Sequence, residues 1–280
     1  MTTFDDHLDP GGRTTREPST AASDHQTRHR EVKTSSSRLP SGEEKRRIVQ
    51  AMFDRIAARY QLLNTIMTFG LDRGWRRRVV EALELEPGAQ VVDIGSGTGD
   101  ICNELERHGY RAIGADISWG MLFHGQQRSR TPSGRYSVLQ ADASALPLAA
   151  SSVDGVTSAF ALRNFSDLQG TLVEAARVLR PQGRICLLEV STPSNAILRL
   201  CHRIYFTKVV PALGALLSDR SAYQYLPRSV AYLPEPRELM KIIFDSGFDL
   251  VERHVITGGV VQLFAARRNS ARDPQDPNAA

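Results

Sequence analysis

The stretch from Val91 to Asp100, "VVDIGSGTGD", decides how this chain folds. Val91, Val92 and Ile94 make a short apolar run, the pattern of a buried strand (89–94). Gly95, Gly97 and Gly99 follow at once, and a helix runs on to His108. Glycine at a strand-to-helix turn permits positive φ and lets a ligand lie against the backbone. A second strand, "RAIGAD" (111–116), ends on Asp116, 17 residues after Gly99. A carboxylate there is placed to accept hydrogen bonds from two ribose hydroxyls.

Outward from this unit the alternation continues. "YSVLQAD" (136–142) reads as a third strand, "VDGVTSAFAL" (153–162) as a fourth and "RICLLEV" (184–190) as a fifth. Helices are expected from Ser118, and from Ser166 as N-cap to Leu179, with Pro181-Gln182-Gly183 as a turn. Two helices precede the first strand. One begins near Glu43, with Ile48, Met52, Phe53, Ile56 and Tyr60 at helical spacing; the other covers 72–84, with Trp75, Val79, Val80 and Leu83. A helix at 235–246 leads into two close strands, about 248–256 and 260–267, which predict an antiparallel hairpin. The sum is a seven-stranded, mostly parallel sheet with helices on both faces, a Rossmann-like α/β architecture. Residues 192–233 break the rhythm and read as a helical lid insertion.

Composition narrows the function. Hydrophobic residues make up 41% and charged residues 24% of 280 residues, enough for a full core. Residues 1–42 and 270–280 are polar, without apolar periodicity, and are expected to be disordered tails around one domain, 43–269. The net charge of +4 is spread among acidic residues, and no nucleic-acid partner is expected. Arg73, Arg76, Arg77 and Arg78 around Trp75 read either as a solvated helix face or as a surface for an anionic partner. Cys102, Cys186 and Cys201 show no CxxC spacing, so the expectation is reduced thiols, no metal and a cytoplasmic chain. Residues 1–30 hold no apolar signal segment. The most apolar run, 197–217, is broken by Arg199, His202, Arg203, Lys208 and Pro211, so no membrane span is expected.

The glycine turn alone leaves the cofactor open. Dinucleotide sites use GxGxxG, whose third glycine would fall at position 100. Asp100 stands there, and a carboxylate opening a helix repels a pyrophosphate. It suits a ligand with a positive centre. S-adenosylmethionine carries an amino group and a sulfonium and no phosphate; NAD and a ligand-free turn are the weaker readings. Asp142, at the end of the third strand, could accept from an adenine amino group or brace a turn. The fourth strand ends on "ALRNF", which brings Arg163 and Asn164 to the same crevice.

At this point the residues resemble a known family. "DIGSGTGD", "GADISWGML", "ADASALPL", "SVDGVT", "ALRN", "ARVLRPQGR" and "LLEVSTP" together resemble class I S-adenosylmethionine-dependent methyltransferases. "MFDRIAARYQLLNTIMTFGLDRGWRR" (52–77), "SAYQYLPRSVAYLPEP" (221–236) and "GFDLVERHVITGGVVQLFAAR" (247–267) resemble the menaquinone and ubiquinone biosynthesis C-methyltransferases. Coverage is about residues 45–268. The chain departs from the family pattern at Ala161, where glycine is usual before "LRN", and at Phe264, where histidine is usual.

The resemblance implies methylation of a ring carbon of a reduced polyprenyl quinol, with demethylmenaquinol, a naphthoquinol, preferred over a benzoquinol. It implies that Asp93, Gly95, Gly97, Thr98, Gly99, Asp116, Ile117, Asp142, Ala143 and Ser158 surround the cofactor. Arg163, Asn164 and Tyr60 would act on the quinol, and Asp72, Tyr223 and Tyr225 would line its site. Other readings stay open. Arg163 could pair with Asp167, Tyr60 could pack in the core, Asp72 could cap its helix, and Tyr223 and Tyr225 could be lid packing. His202 and His254 read as surface or core residues. The implied partners are the quinol, a membrane surface touched peripherally and a second copy of the chain in a homodimer. A catalytically silent assembly protein and another small-molecule methyltransferase are the competing functions.

Overall fold

The computed structural model describes residues 40–129, 136–209, 225 and 228–269. The expected tails therefore lie almost wholly outside the described residues, as does Tyr223.

The seven strands are β1 (Gln90–Ile94), β2 (Arg111–Asp116), β3 (Ser137–Gln140), β4 (Val153–Ala159), β5 (Leu179–Val190), β6 (Phe248–Ile256) and β7 (Val261–Arg268). Their spatial order is β3-β2-β1-β4-β5-β7-β6. Every pair from β3 across to β5 is parallel. Only β7 runs antiparallel, to both β5 and β6. The direction of winding reverses between β1 and β4. Loops on either side of that point diverge and leave a crevice at the carboxyl ends of the strands.

Among the described residues the helices are α1 (Gly42–Met67), α2 (Asp72–Glu81), α3 (Asp100–Arg107), α4 (Trp119–Arg128), α5 (Leu168–Val178), α6 (Ala196–Ile204) and α7 (Pro236–Asp245). Leu172, Ala175 and Ala176 of α5 and Leu239 and Ile243 of α7 bury one face of the sheet. Trp75, Val79 and Val80 of α2 and Ile101, Cys102 and Leu105 of α3 bury the other. Pro236 opens α7 at a position where a missing N–H costs nothing. Helix α1 stands apart from this layering. Its Met52, Ile56 and Leu63 form a separate small cluster with Phe53, Tyr60, Tyr205 and Tyr225.

Several boundaries differ from the sequence reading, each for a local reason. Helix α2 stops at Glu81, because Ala82 and Leu83 turn and Glu84 takes a φ of +47°. Asp167, not Ser166, caps α5: its carboxylate accepts from the Gly170 N–H at 2.8 Å. Strand β5 begins at Leu179. Pro181-Gln182-Gly183 is an irregularity inside it, and pairing with β4 shifts between Val153 and Gly155. Strand β4 ends at Ala159, because Phe160 takes a φ of +59° and breaks the ladder. In the insertion, Asn195 caps α6 by accepting from Ile197 and Leu198, and the helix runs into a wide turn, Tyr205–Val209. Cys102 and Cys186 are buried, while Cys201 is exposed.

Candidate active site

Three cavities meet at the crevice. The first, about 730 Å³, is lined by Gly95, Gly97, Asp116, Ile117, Asp142, Ala143 and Asn164 among others. The second, about 1640 Å³, is largely apolar and is lined by Met52, Ile56, Met67, Phe69, Trp75, Arg163, Leu198, Tyr205 and Val261 among others. The third is a recess of about 330 Å³ between Arg76, Asp93, Gly97, Thr98 and Asp100. Tyr60 and Phe160 line all three, so they form the wall between them.

The glycine loop is built as its spacing implies. Gly95 and Gly97 take φ values of +70° and +54°. A Cβ on Gly95 would sit 2.6 Å from the Cβ of Ala161. Gly99 answers to packing instead: a Cβ there would meet the Tyr136 hydroxyl at 1.6 Å, and it lines none of the three cavities. Asp116 Oδ2 accepts from the Gly97 N–H at 2.8 Å, and its Oδ1 accepts from the Ser118 N–H at 2.8 Å. These bonds aim the carboxylate at the cavity. Burial pushes its pKa up to about 6, against the pull of those N–H groups. Asp142 braces the turn, as one of its two readings had it, and also faces the cavity. One oxygen accepts from the Ser144 N–H at 3.0 Å and from its hydroxyl at 2.8 Å.

Asp93 is fully buried in β1, and the Thr157 hydroxyl donates to it at 2.8 Å. Burial pushes its pKa up to about 8. Ser158 faces inward; its hydroxyl donates to the Ile94 carbonyl at 2.7 Å, and it lines none of the cavities. Thr98 lines the recess.

Helix α1 closes over the first cavity. Ser118 Oγ and the Gly120 N–H donate to Asp54 at 2.6 and 3.0 Å, and Gln50 Nε2 donates to the Ile117 carbonyl. Lys45 Nζ donates to the Phe165 carbonyl at 2.6 Å and stands 3.8 Å above the Tyr232 ring. Burial lowers its pKa to about 8.

Arg163 does not pair with Asp167. Its guanidinium binds Glu189, which is 0% exposed, and its Nε donates to Ser229 Oγ at 3.2 Å. Glu189 also accepts from the Val190 N–H at 2.8 Å. Arg163 lines the apolar cavity and Asn164 the glycine-loop cavity, so neighbouring residues serve opposite sides of the wall. Tyr225 donates to Asn164 Oδ1 at 3.3 Å, and burial lifts its hydroxyl to about 12. Burial also raises the Tyr60 pKa, while the positive charges of Arg76 and Arg163 oppose the rise; Tyr60 shares the recess with Arg76 and the apolar cavity with Arg163. Asp72 lines no cavity. It accepts from Thr68 Oγ1 at 2.8 Å and Asn64 Nδ2 at 3.3 Å, and it pairs with Arg76. His202, read as surface or core, lines the apolar cavity, and burial lowers its pKa.

The sequence reading missed four residues here. Arg76 belongs to neither a solvated face nor a surface for an anionic partner, the two readings of its cluster: it is 8% exposed and sits between Asp72 and Asp100. Its spacing from Asp72, Val79 and Val80 was the available signal, since these share the buried side of α2. Glu189 was visible as a charge inside an apolar strand. Phe160 and Phe53 carried no such mark.

The residues fit S-adenosylmethionine. The loop is a bare backbone cradle that a Cβ would fill, and its charged walls are the carboxylates Asp100, Asp116 and Asp142 with the guanidinium groups of Arg46 and Arg76. That set repels phosphate and accepts a cation. Among the described residues no helix is long and apolar enough to cross a membrane.

Comparison with known proteins agrees. The profile of the ubiE/COQ5 methyltransferase family matches residues 40–268. Ubiquinone/menaquinone biosynthesis C-methyltransferase UbiE of Syntrophotalea carbinolica is 40% identical over 224 residues, 79% of this chain and 94% of that protein. Demethylmenaquinone methyltransferase of Thermus thermophilus is 39% identical over 221 residues, 78% of this chain and all of that protein (100%). Among solved structures, a Haloferax volcanii methyltransferase bound to the Trm112 activator superposes with a TM-score of 0.57 at 21% identity, covering 78% of this chain and 97% of that one. Haemonchus contortus phosphoethanolamine N-methyltransferase 2, solved with S-adenosyl-L-methionine, gives a TM-score of 0.52 at 16% identity, covering 70% and 53%. The solved structures share the fold, and the sequence relatives and the family profile each match most of the chain. The chain belongs to the ubiE/COQ5 methyltransferase family.

Proposed function

We propose that this enzyme methylates a ring carbon of demethylmenaquinol to give menaquinol. The observation that carries the reading is the shared wall: Tyr60 and Phe160 separate an acidic, glycine-floored cavity from a large apolar one. A polar cofactor and a prenylated ring need those two environments, meeting at one point. The bound cofactor supplies a methyl group on a sulfonium, which departs as a neutral thioether.

The chain's residues do the rest. Asp116 is aimed to hold the ribose and Asp142 to meet the adenine. The apolar walls strip water from the ring. An aromatic carbon becomes nucleophilic when the neighbouring hydroxyl ionises, and a phenol has a pKa near ~10. The positive charges of Arg163 and Arg76 around Tyr60 favour that oxyanion. Tyr60, its own pKa raised, keeps its proton and donates a hydrogen bond to the ring oxygen. Arg163 is a poor base, because its pKa is above ~12, so the hydroxyl proton passes to a water held beside it, and the ring-carbon proton, lost as the ring rearomatises after methyl transfer, leaves by the same water. Glu189 shares its charge, so it acts as one end of an oriented dipole rather than a bare cation. Alignment of ring carbon, methyl and sulfur contributes further.

The test is an anaerobic assay with S-adenosylmethionine and each reduced precursor, read by product mass and ring-carbon NMR. Methylation of the naphthoquinol is expected. A product from the benzoquinol alone supports the second reading, to which the Syntrophotalea relative's name points. No product from either quinol sinks both.

We also propose peripheral contact with an anionic lipid surface. Phe69, 78% exposed, and Leu198 line the apolar cavity; Ile197, 73% exposed, adjoins Leu198, and Arg199, Arg203 and Lys208 follow it in sequence. Flotation with anionic but not neutral vesicles checks it.

A further inference from the structure

Arg163 is held by two partners of different kinds. A guanidinium is a rigid planar fork of three nitrogens, so fixing two of them sets the direction of the third. Nη1 binds Glu189, which is wholly buried. Nε donates to Ser229 Oγ at 3.2 Å, and Ser229 is wholly buried too. Nη2 has no partner among the described residues. Arg163 itself is nearly buried and lines the apolar cavity. Two unused N–H groups beside such a cavity need an acceptor in it, because donors left dry are costly.

The two partners do different things. Glu189 offsets part of the positive charge. Ser229 accepts a hydrogen bond and neutralises none of it, so the fork is steered while the rest of its charge survives. Ser229 comes from the turn that leads into Val230–Tyr232, and Val230 lines the same cavity. This turn is tied down on its far side. The Tyr232 hydroxyl donates to the Pro40 carbonyl at 2.8 Å, and the Tyr232 ring lies under Lys45 Nζ. Lys45 in turn holds the carbonyl of Phe165, two residues past Arg163. Both ends of the Arg163–Ser229 contact are thus braced. We propose that Ser229 is a positioning residue for methyl transfer, turning Arg163 on its Glu189 pair so that Nη2 points at the quinol oxygen beside the reacting ring carbon. The proposal rests on a quinol being the methyl acceptor.

A naphthol with a short prenyl chain and a single hydroxyl, added without methyl donor, is the probe. Its ionised form absorbs at longer wavelength, so the pKa of the bound hydroxyl is read directly. The wild-type protein is expected to lower that pKa below its value in water. In Ser229→Ala about one unit of the lowering is lost, and kcat on the quinol falls about tenfold. Affinity for S-adenosylmethionine, and for the neutral naphthol at about pH 6, stays as in the wild type. Glu189, Tyr60 and Tyr225 face the same guanidinium, and Lys45 lies behind the turn. Burial raises both tyrosine hydroxyls, so neither titrates below about pH 10, and all four residues are common to both proteins. The same lowered pKa in both proteins overturns the proposal even if turnover drops, because a merely structural defect leaves it in place. Lost binding of the neutral naphthol also overturns it, since Ser229 would then only wall the cavity. Ser229→Cys, close in size with a weaker acceptor, should fall between the two and replaces alanine if that variant does not fold. A wild-type protein that leaves the naphthol pKa unmoved removes the oxyanion role of Arg163, and the quinol chemistry with it.

Discussion

Replacing Asp93 with asparagine should stabilise this protein, and more so as pH rises. Asp93 is 1% exposed, and burial lifts its pKa from 3.8 to about 8. At neutral pH the folded chain therefore keeps the carboxyl protonated, whereas the unfolded chain ionises it. The folded state binds the extra proton, so stability falls as pH rises from the unfolded value to about 8. Each pH unit in that window removes about 1.4 kcal/mol. Between pH 5 and pH 7 the loss is about 3 kcal/mol, an upper figure because buried sites relax. Asparagine has the shape of the protonated acid. Its carbonyl can still accept the Thr157 hydroxyl, and it has no proton to lose. Asp116, also raised, is present in both proteins and cancels in the comparison.

Urea unfolding of both proteins at pH 5, 6, 7 and 8 measures the difference. The gap should widen in favour of Asp93→Asn up to about pH 8 and then level off. In a domain of this size about 1 kcal/mol corresponds to a few degrees in Tm, so the trend is also readable by thermal melts. A flat difference would show that Asp93 is not held protonated. That flat outcome would mean a carboxylate already ionised at pH 5 in the folded chain, and the charge assignment of the recess would have to be redrawn.

Two further outcomes follow from the geometry. Glu189→Ala strands the Arg163 guanidinium in a buried place, which should cost about 3–5 kcal/mol by chemical denaturation and abolish turnover. Arg163→Leu combined with Glu189→Leu should recover most of that stability without recovering activity; equal instability of the double variant would refute the pairing argument. Gly95→Ala places a Cβ 2.6 Å from that of Ala161 at a positive φ, so S-adenosylmethionine affinity should fall by at least about tenfold with a strain of ~1–2 kcal/mol. Ala161→Gly in the same chain should return part of the affinity measured by calorimetry, and no return would place the damage in backbone strain alone.

Much of the architecture was legible because parallel strands buried on both faces leave continuous apolar runs, and these alternate with helical periodicity. The glycine loop, Asp116 and Asp142 were legible because a strand end, a turn and a carboxylate have fixed relative positions in such a fold. What escaped was decided by tertiary contact. No local signal sets Glu189 against Arg163, since 26 residues and an entire helix separate them. Asp167 took the α5 cap from its neighbour Ser166, a choice one residue wide that depends on which side chain reaches Gly170. Arg76 looked like its exposed neighbours because a run of arginines hides the one that faces inward. Phe160 is an aromatic side chain at a left-handed backbone position, which residue type alone argues against.

The wall of Tyr60 and Phe160 also governs traffic. The polar cavity is bordered by Arg46 and roofed by α1, while the apolar cavity is bordered by Phe69 and Leu198. On the proposed reading each ligand would have its own doorway, and only a one-carbon parcel would cross between rooms. Neither product has to leave before the other can. A spent donor can be exchanged while a prenylated ring stays seated, and a finished ring can slip away over a donor pocket already refilled. Such a layout predicts random-order release, which product-inhibition patterns would read.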